Sequence, residues 1–124
     1  MSGTSYILVV DDNHDIRDLV REILEFEGYV VVTACNGKEA LERLGGADLP
    51  SLILLDLMMP TMNGWEFRAE QLKDQRLASI PLVVLTGDGN ASEKARVLRA
   101  TSYIMKPVHL DSLLAVVQGA ACGG

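Results

Sequence analysis

The sequence predicts an α/β protein with one doubly wound sheet of five parallel strands. Five short apolar runs recur along the chain, at residues 6–10, 30–34, 52–55, 82–85 and 103–105. Segments with helical periodicity separate these runs, and each connection is too long for a hairpin, which indicates strand-helix units with right-handed crossovers. Because the runs are continuously apolar, we expect helices to cover both faces of the sheet.

Two strand-helix units make up the first part of the chain. Behind the first run, apolar residues spaced i, i+3, i+4, i+7 and i+8 predict a helix with one apolar stripe, formed by Ile16, Leu19, Val20, Ile23 and Leu24. Gly28 ends this helix. The second run is rich in β-branched residues and leads through Asn36-Gly37 into a short helix over 40–44 that Gly45 closes.

The remaining units follow the same pattern. Asn63-Gly64 opens a third helix whose apolar stripe is weak, with Phe67 and Leu72 as its expected core anchors. Ala91–Leu98 is predicted to be a short helix behind the fourth run. The fifth run leads into a last helix with a clear apolar stripe, formed by Leu110, Leu113, Leu114 and Val117.

Length and composition favour a single cytoplasmic domain over 1–124, with its core at about 6–117. The chain has 124 residues, of which 48% are apolar, and this is enough for one core. No apolar stretch reaches the ~20 residues of a membrane span, and the first residues do not resemble a secretory signal. A net charge of -6 without a Lys/Arg stripe argues against direct nucleic-acid binding. Cys35 and Cys122 lie in no metal-ligand or redox spacing and are expected to be unpaired thiols.

Reactive side chains directly follow four of the apolar runs. Asp11 and Asp12 follow the first run, Asp56 the third, Thr86 the fourth and Lys106 the fifth. The carboxyl ends of parallel strands meet at one edge of the sheet, where open α/β sheets bind their ligands. We therefore expect these side chains to converge.

A cluster of three carboxylates needs a cation. At ~5 Å and an effective dielectric of ~20, each pair of like charges costs about 3 kcal/mol. Oxygen ligands without His or Cys favour Mg2+, with Mn2+ as a substitute, and such ions use few carboxylates and keep several waters. Three carboxylates, one divalent ion and the Lys106 ammonium sum to zero charge, so the site could accept an incoming phosphoryl group.

Each of these residues also has an ordinary structural explanation when it is considered alone. An Asp between a strand and a helix is a common N-cap. Thr86 alone is a strand-end hydroxyl, and Lys106 alone is a solvated charge. The functional interpretation depends on the whole set at matching strand ends.

With these motifs the chain resembles the receiver domains of two-component response regulators, in particular their single-domain chemotaxis-type members, over about 6–117. The matching segments are Val9-Val10-Asp11-Asp12-Asn13, Leu54-Leu55-Asp56-Leu57-Met58-Met59-Pro60 followed by Asn63-Gly64, Leu85-Thr86-Gly87, and Tyr103-Ile104-Met105-Lys106-Pro107. The resemblance implies a flavodoxin-like (βα)5 fold with strand order 2-1-3-4-5.

The resemblance also implies an acceptor and a metal site. Asp56 would take a phosphoryl group from a sensor histidine kinase, a histidine phosphotransfer protein or a small phosphodonor. Asp12 and Asp56 would bind Mg2+ directly, Asp11 mainly through water, and Met58 through its backbone carbonyl. The chain would not be an enzyme with an external substrate, because it would catalyse only its own phosphorylation and slow autodephosphorylation.

The remaining matched residues would bind the phosphoryl group and transmit its presence. Lys106 and Thr86 would each contact a phosphoryl oxygen, Gly87 would leave the group access, and Lys106-Pro107 is a candidate cis peptide bond. When Thr86 moves towards the phosphoryl group, Tyr103 would rotate inwards and reshape the face of the fourth helix, fifth strand and fifth helix, where an unidentified output protein would dock. The other interpretation of Tyr103 is a buried core residue.

The chain departs from the family pattern near its fourth helix. The segment between Thr86 and Lys106 is shorter than is usual in the family, so this helix or the loop before it should be shortened. Arg99 stands where the family commonly has Gly. These differences concern the face on which partners would be recognised.

Other classes of protein fit the sequence less well. A phosphatase of the haloacid dehalogenase type would need a second Asp two residues after Asp56, where this chain has Met58. A dinucleotide-binding domain would need a Gly-rich turn where this chain has Asp11-Asp12-Asn13. The alternative is a phosphorylation-independent interaction module on the same fold, which would be expected to lack a site residue, and none is missing.

Overall fold

A five-stranded sheet and six helices make up the part of the chain that the structure, a computed structural model, describes: residues 5–46, 48–87 and 89–122, with the backbone alone at 121–122. The elements are, in chain order, β1 (Ile7–Val10), α1 (His14–Phe26), β2 (Val31–Ala34), α2 (Gly37–Arg43), β3 (Leu52–Asp56), α3 (Gly64–Lys73), α4 (Gln75–Ala78), β4 (Leu82–Thr86), α5 (Ala91–Leu98), β5 (Ser102–Met105) and α6 (Leu110–Cys122). The short helix α4 was not predicted, so the predicted fourth and fifth helices are α5 and α6.

The strands pair in the order β2-β1-β3-β4-β5, and every pair is parallel, which confirms the predicted fold. Val10 of β1 lies opposite Leu55 of β3, so the residues that follow them, Asp11 and Asp56, reach the same level of the sheet. Thr86 of β4 lies opposite Met105 of β5. The register therefore brings the reactive strand ends to one edge.

Alternate residues of the strands pack against two helical layers, as a sheet covered on both faces requires. In β1, Leu8 and Val10 belong to the core shared with α2, α3 and α5, while Ile7 and Val9 belong to the core shared with α1 and α6. These four side chains are fully buried. The layers leave the carboxyl edge of the sheet to the loops that carry the candidate site.

The first helix shows how local signals set its ends. The Asn13 side chain accepts a hydrogen bond from the backbone N–H of Ile16 at 3.0 Å and caps α1. Gly28 lies just beyond the helix with φ of +96°, a conformation that favours glycine. Val20 and Leu24 bury the predicted stripe, whereas Leu19 at its margin is exposed.

The face of helix α3 that packs against the core is not the face that the sequence predicted. Phe67 is fully buried as expected, but Leu72 is 44% exposed, so its assignment as a core anchor is wrong. Arg68 and Gln71 take the buried positions instead. They can do so because both side chains find hydrogen-bond acceptors inside, and α3 is therefore rotated with Leu72 towards solvent.

The buried amide of Gln71 also explains the additional helix. Its nitrogen donates hydrogen bonds to the carbonyls of Leu77 and Ile80, at 2.9 and 3.3 Å. Asp74 caps the start of α4 through the backbone N–H of Arg76 at 2.9 Å. One turn of helix is thus held against the end of α3 before β4 begins.

No helix in the described part of the chain is long and apolar enough to cross a membrane. The longest, α1 and α6, have 13 residues each, against the ~20 that a membrane span requires.

Candidate functional site

Three carboxylates converge at the carboxyl edge of the sheet. Asp11, Asp12 and Asp56 each offer an oxygen, and these atoms lie within 4.8 Å of one another. Asp11 and Asp56 are buried, while Asp12 is exposed at the rim. The predicted convergence is therefore present in the structure, with two carboxylates inside and one facing the approach to the site.

Lys106 brings a positive charge to this cluster. Its Nζ lies 2.9 Å from Oδ2 of Asp11 and 3.5 Å from Oδ1 of Asp56. The backbone N–H of Lys106 donates to the carbonyl of Thr86 at 2.8 Å, which continues the pairing of β4 and β5 up to the site. The Lys106-Pro107 peptide bond is cis, as the sequence suggested.

Asp11 is held by the start of α1, the helix that follows it. Its Oδ1 accepts a hydrogen bond from the backbone N–H of Asn13 at 2.9 Å, and its carbonyl accepts one from Nη1 of Arg17 at 2.7 Å. Its Oδ2 is buried and accepts no hydrogen bond of good geometry from any residue described here, although Lys106 Nζ lies 2.9 Å away. The contact with Lys106 is an ion pair, and the buried Oδ2 has no other polar partner among the described residues.

The donor set fits a hard divalent cation. Carboxylate oxygens are the ligands that Mg2+ prefers, and a buried carboxylate oxygen without a hydrogen-bond partner is the kind of group that such an ion satisfies. Asp11, Asp12 and Asp56 would hold the ion, and the exposed position of Asp12 leaves room for the waters that Mg2+ retains.

Burial and like charge change the ionisation of the acceptor candidate. Burial, followed by the neighbouring Asp11 carboxylate, raises the pKa of Asp56 to about 6, although Lys106 and the backbone N–H of Met58 act in the opposite direction. Burial alone would lower the pKa of Lys106, but contacts with Asp11 and Asp56 outweigh this effect and raise it. Lys106 therefore stays protonated and positively charged. A further cation would lower the pKa of Asp56 and favour its ionised form.

The predicted phosphoryl-contact residues lie beside this cluster. Thr86 is buried at the end of β4, in the strand next to Asp56. An added Cβ at Gly87 would lie 3.8 Å from Cβ of Lys106, which is ordinary contact, so the structure leaves the predicted access role of Gly87 untested. Met58 donates its backbone N–H to Oδ1 of Asp56 at 3.3 Å, and its side chain is exposed.

Tyr103 lies apart from the cluster on the edge strand β5. Its side chain is 38% exposed, so the interpretation of Tyr103 as a buried core residue is wrong. Its neighbour on the same face of the strand, Met105, is also exposed. The described conformation therefore has the aromatic ring directed outwards.

Two residues support the site in ways that the sequence analysis did not predict. Arg17, whose guanidinium binds the Asp11 carbonyl, gave no signal beyond its position within the first helix. Gly64 belonged to a recognised motif, but its reason is only visible in space: an added Cβ would lie 2.6 Å from the Asp56 carbonyl and 2.8 Å from Cα of Leu57. Glycine is thus required where α3 starts against the end of the strand that carries Asp56.

Comparison with known proteins agrees with this architecture. The sequence profile of the response regulator receiver domain matches residues 7–118. An uncharacterized 14.6 kDa protein of Leptolyngbya boryana is 39% identical over 114 residues, which cover 90% of this chain and 86% of that protein. The response regulator MprA of Mycobacterium ulcerans is 40% identical over 111 residues. These cover 88% of this chain and 47% of MprA, so the chain spans about half of that relative's length.

Solved structures give the same result. The chemotaxis response regulator CheY4 of Vibrio cholerae matches with a TM-score of 0.86 and 31% identity, covering 95% of this chain and 99% of that one. The receiver domain of NtrX from Brucella abortus matches with a TM-score of 0.85 and 34% identity, with the same coverage. This chain belongs to the response regulator receiver domain family of two-component systems.

Proposed function

We propose that Asp56 accepts a phosphoryl group from the phosphohistidine of a sensor histidine kinase or a histidine phosphotransfer protein, in a reaction that requires Mg2+. One observation carries this proposal: the buried Asp56 carboxylate lies beside two further carboxylates and 3.5 Å from the Lys106 ammonium. With one divalent cation this group of charges is neutral. Because the site is then neutral, it does not repel the anionic phosphoryl group that the nucleophile Asp56 must receive.

The chemistry follows from the positions of the side chains. An oxygen of Asp56 attacks phosphorus, the phosphorus–nitrogen bond of the donor breaks, and its electron pair returns to the imidazole ring, which takes up a proton. Lys106 is within reach of the acceptor oxygens and offsets the charge of the incoming group. Mg2+ supplies charge neutralisation for the carboxylates and the phosphoryl oxygens when it is bound.

Positioning and electrostatics are sufficient for such a transfer. The Met58 backbone N–H orients one Asp56 oxygen, and the burial of Asp56 limits the access of water to it. The domain would therefore catalyse its own phosphorylation and its slow hydrolysis, and would not turn over an external substrate.

We propose that phosphorylation changes the conformation of the surface formed by α5, β5 and α6. Thr86 is buried next to the acceptor strand, while Tyr103 is half exposed on β5. Movement of Thr86 to a phosphoryl oxygen would open space for the Tyr103 ring and alter the face formed by α5, β5 and α6. An output protein that recognises this face would respond to the phosphoryl group.

Intact mass spectrometry tests the acceptor. The protein is incubated with acetyl phosphate and Mg2+, and we expect the mass to increase by one phosphoryl group, with no increase when EDTA replaces Mg2+. Asp56→Asn should stay unmodified, and Asp15→Asn, which changes a fully exposed carboxylate on α1, should behave like the wild type. Label that persists in Asp56→Asn would show that another residue is the acceptor. An unlabelled wild type, with acetyl phosphate and with a panel of phosphorylated kinases, would favour the phosphorylation-independent interaction module.

A further inference from the structure

Helix α3 exposes an apolar stripe on the side away from the core. Trp65, Ala69 and Leu72 follow the spacing i, i+4, i+7 and are all exposed, although the same helix buries Arg68 and Gln71. An amphipathic helix normally turns its apolar stripe to the core and its charges to solvent. The outer stripe of α3 is neither buried in the core nor part of the proposed phosphorylation site.

This stripe forms one wall of a groove between α3 and α5. Val97 of α5 is exposed on the other wall. Arg68, Leu98 and Arg99 complete the lining of a cavity of about 200 Å3. Pockets for small molecules measure ~300–1,000 Å3. The groove is therefore smaller than such a pocket, and its size suits an inserted side chain.

Arg68 places a buried positive charge at the bottom of the groove. Arg68 is only 7% exposed, and its guanidinium donates to the carbonyls of Leu98 and Arg99, both at 2.9 Å, and to Oε1 of Gln71 at 2.8 Å. These acceptors are neutral, and no carboxylate of the described residues forms an ion pair with Arg68. Buried charges are normally paired with an opposite charge. Burial, and then the charge of Arg99, lower the pKa of Arg68.

Arg99 adds a second cation at the rim of the groove. It ends α5 in the left-handed conformation, with φ of 58°, where glycine would be more stable. The acidic side chains of the two helices have other partners: Glu66 completes the capping box of α3, Glu70 pairs with Lys73, and Glu93 pairs with Arg96. Among the residues that the structure describes, no carboxylate is therefore paired with the positive charge of this groove.

We propose that the α3–α5 groove binds a short segment of a partner protein that places a large apolar side chain next to a carboxylate. The apolar walls would contact the apolar side chain, and Arg68 and Arg99 would bind the carboxylate. A second copy of the chain fits less well, because four apolar side chains are far fewer than the ~20–30 residues per side of a stable globular interface. The proposal does not depend on phosphorylation of Asp56.

Small probes test the chemistry of the groove directly. The protein is titrated with 4-phenylbutyrate and, in parallel, with the uncharged 4-phenylbutyramide, while amide and Trp65 indole resonances are recorded. We expect saturable shifts at 65–72 and 97–99 with the carboxylate, and binding about fivefold weaker with the amide. Equal binding of the two probes, or shifts located elsewhere, would overturn the proposal.

Variants assign the effect to the two parts of the groove. Arg99→Gly suits the left-handed backbone and should reduce the preference for the carboxylate probe over the amide, with the remainder due to Arg68. Arg99→Lys should retain most of the preference. Leu72→Glu should abolish binding of both probes. Phe26→Glu, which changes a strongly exposed apolar residue on α1, is the matched control and should bind like the wild type.

A peptide selection extends the test to protein segments. A displayed random peptide library is selected on the wild type and counter-selected on Leu72→Glu, and enriched peptides should combine Asp or Glu with a large apolar residue. Enrichment without acidic residues would contradict the charge assignment. Self-association of the wild type in sedimentation experiments that Leu72→Glu abolishes would show that a second copy is the occupant, and would also overturn the proposal.

Discussion

Lys106 and Asp11 form the shortest ionic contact of the site, with Nζ 2.9 Å from Oδ2 of a carboxylate that is completely buried. The contact to Asp56 is longer, at 3.5 Å. The lysine is thus held mainly by a carboxylate that is not the proposed acceptor. A phosphoryl group on Asp56 would compete with Asp11 for the same ammonium.

Replacement of Lys106 by Met should make Mg2+ bind more tightly. The substitution removes a positive charge next to three carboxylates, so at pH 7.5 we expect the Kd for Mg2+ to fall by roughly tenfold. Amide chemical shifts during a Mg2+ titration measure this. Lys73→Met removes an exposed lysine at the end of α3 and should leave the Kd unchanged. A weaker affinity in Lys106→Met would mean that the lysine helps to build the metal site.

The metal-free protein should lose stability as pH rises through the pKa of Asp56. This pKa is about 6 in the folded chain, against ~3.9 in an unfolded chain. The protonated form thus favours folding, and its stabilising contribution is fully present below about pH 4 and is lost as pH rises through 6. Relative to Asp56→Asn, the free energy of unfolding of the wild type should fall by about 2–3 kcal/mol between pH 4 and 7.

Urea denaturation in EDTA at a series of pH values measures this difference. The comparison with Asp56→Asn cancels the contributions of carboxylates that lie away from Asp56. Addition of Mg2+ should remove most of the decline, because the ion favours the ionised form. Parallel stability profiles of the two proteins in EDTA would contradict the raised pKa.

Thr86→Ala should separate phosphoryl binding from the distant response. Beryllofluoride, a phosphoryl mimic, is expected to shift amide resonances near Asp56 and also in α5, β5 and the start of α6 of the wild type. In Thr86→Ala the shifts near Asp56 should persist while the distant ones shrink, because the hydroxyl couples the site to the surface without forming the acceptor. Equal distant shifts in the two proteins would exclude this route.

Two glycines should respond in opposite ways to substitution by alanine. Gly64→Ala places a methyl group 2.6 Å from the Asp56 carbonyl and should destabilise the fold by ~2 kcal/mol or more. Gly119 lies inside α6 with nothing within 4 Å of an added Cβ, so Gly119→Ala should stabilise by ~0.5–1 kcal/mol. Urea denaturation of the Mg2+-bound proteins compares them, and effects of the same sign would contradict the packing described for one of the two positions.

The sequence was sufficient to predict the strand ends because parallel pairing leaves few choices. Once the runs before Asp11, Asp56, Thr86 and Lys106 are strands of one parallel sheet, their carboxyl ends must share an edge. The side chains at this edge are the residues that directly follow each strand, so they could be read from the local sequence. The cis bond before Pro107 was suggested by the family motif, and the structure agrees.

The orientation of α3 could not be predicted in this way. Arg68 is buried because its hydrogen-bond acceptors, the carbonyls of Leu98 and Arg99, lie about 30 residues further along the chain. No helical periodicity contains that information, so Leu72 looked like a core residue. The same limit applies to α4, because Gln71 binds the carbonyl of Leu77 within this helix and that of Ile80 just after it.

The two walls of the α3–α5 groove begin directly behind the two strands that carry the proposed chemistry. Helix α3 follows the strand of Asp56, and α5 follows the strand of Thr86. A displacement of either strand end that carried its helix along would change the width of the groove. A segment that fits only one width would have an affinity that depends on phosphorylation, and by thermodynamic reciprocity its binding would alter how readily Asp56 retains its phosphoryl group. A partner seated there could thus act on the signal as well as read it.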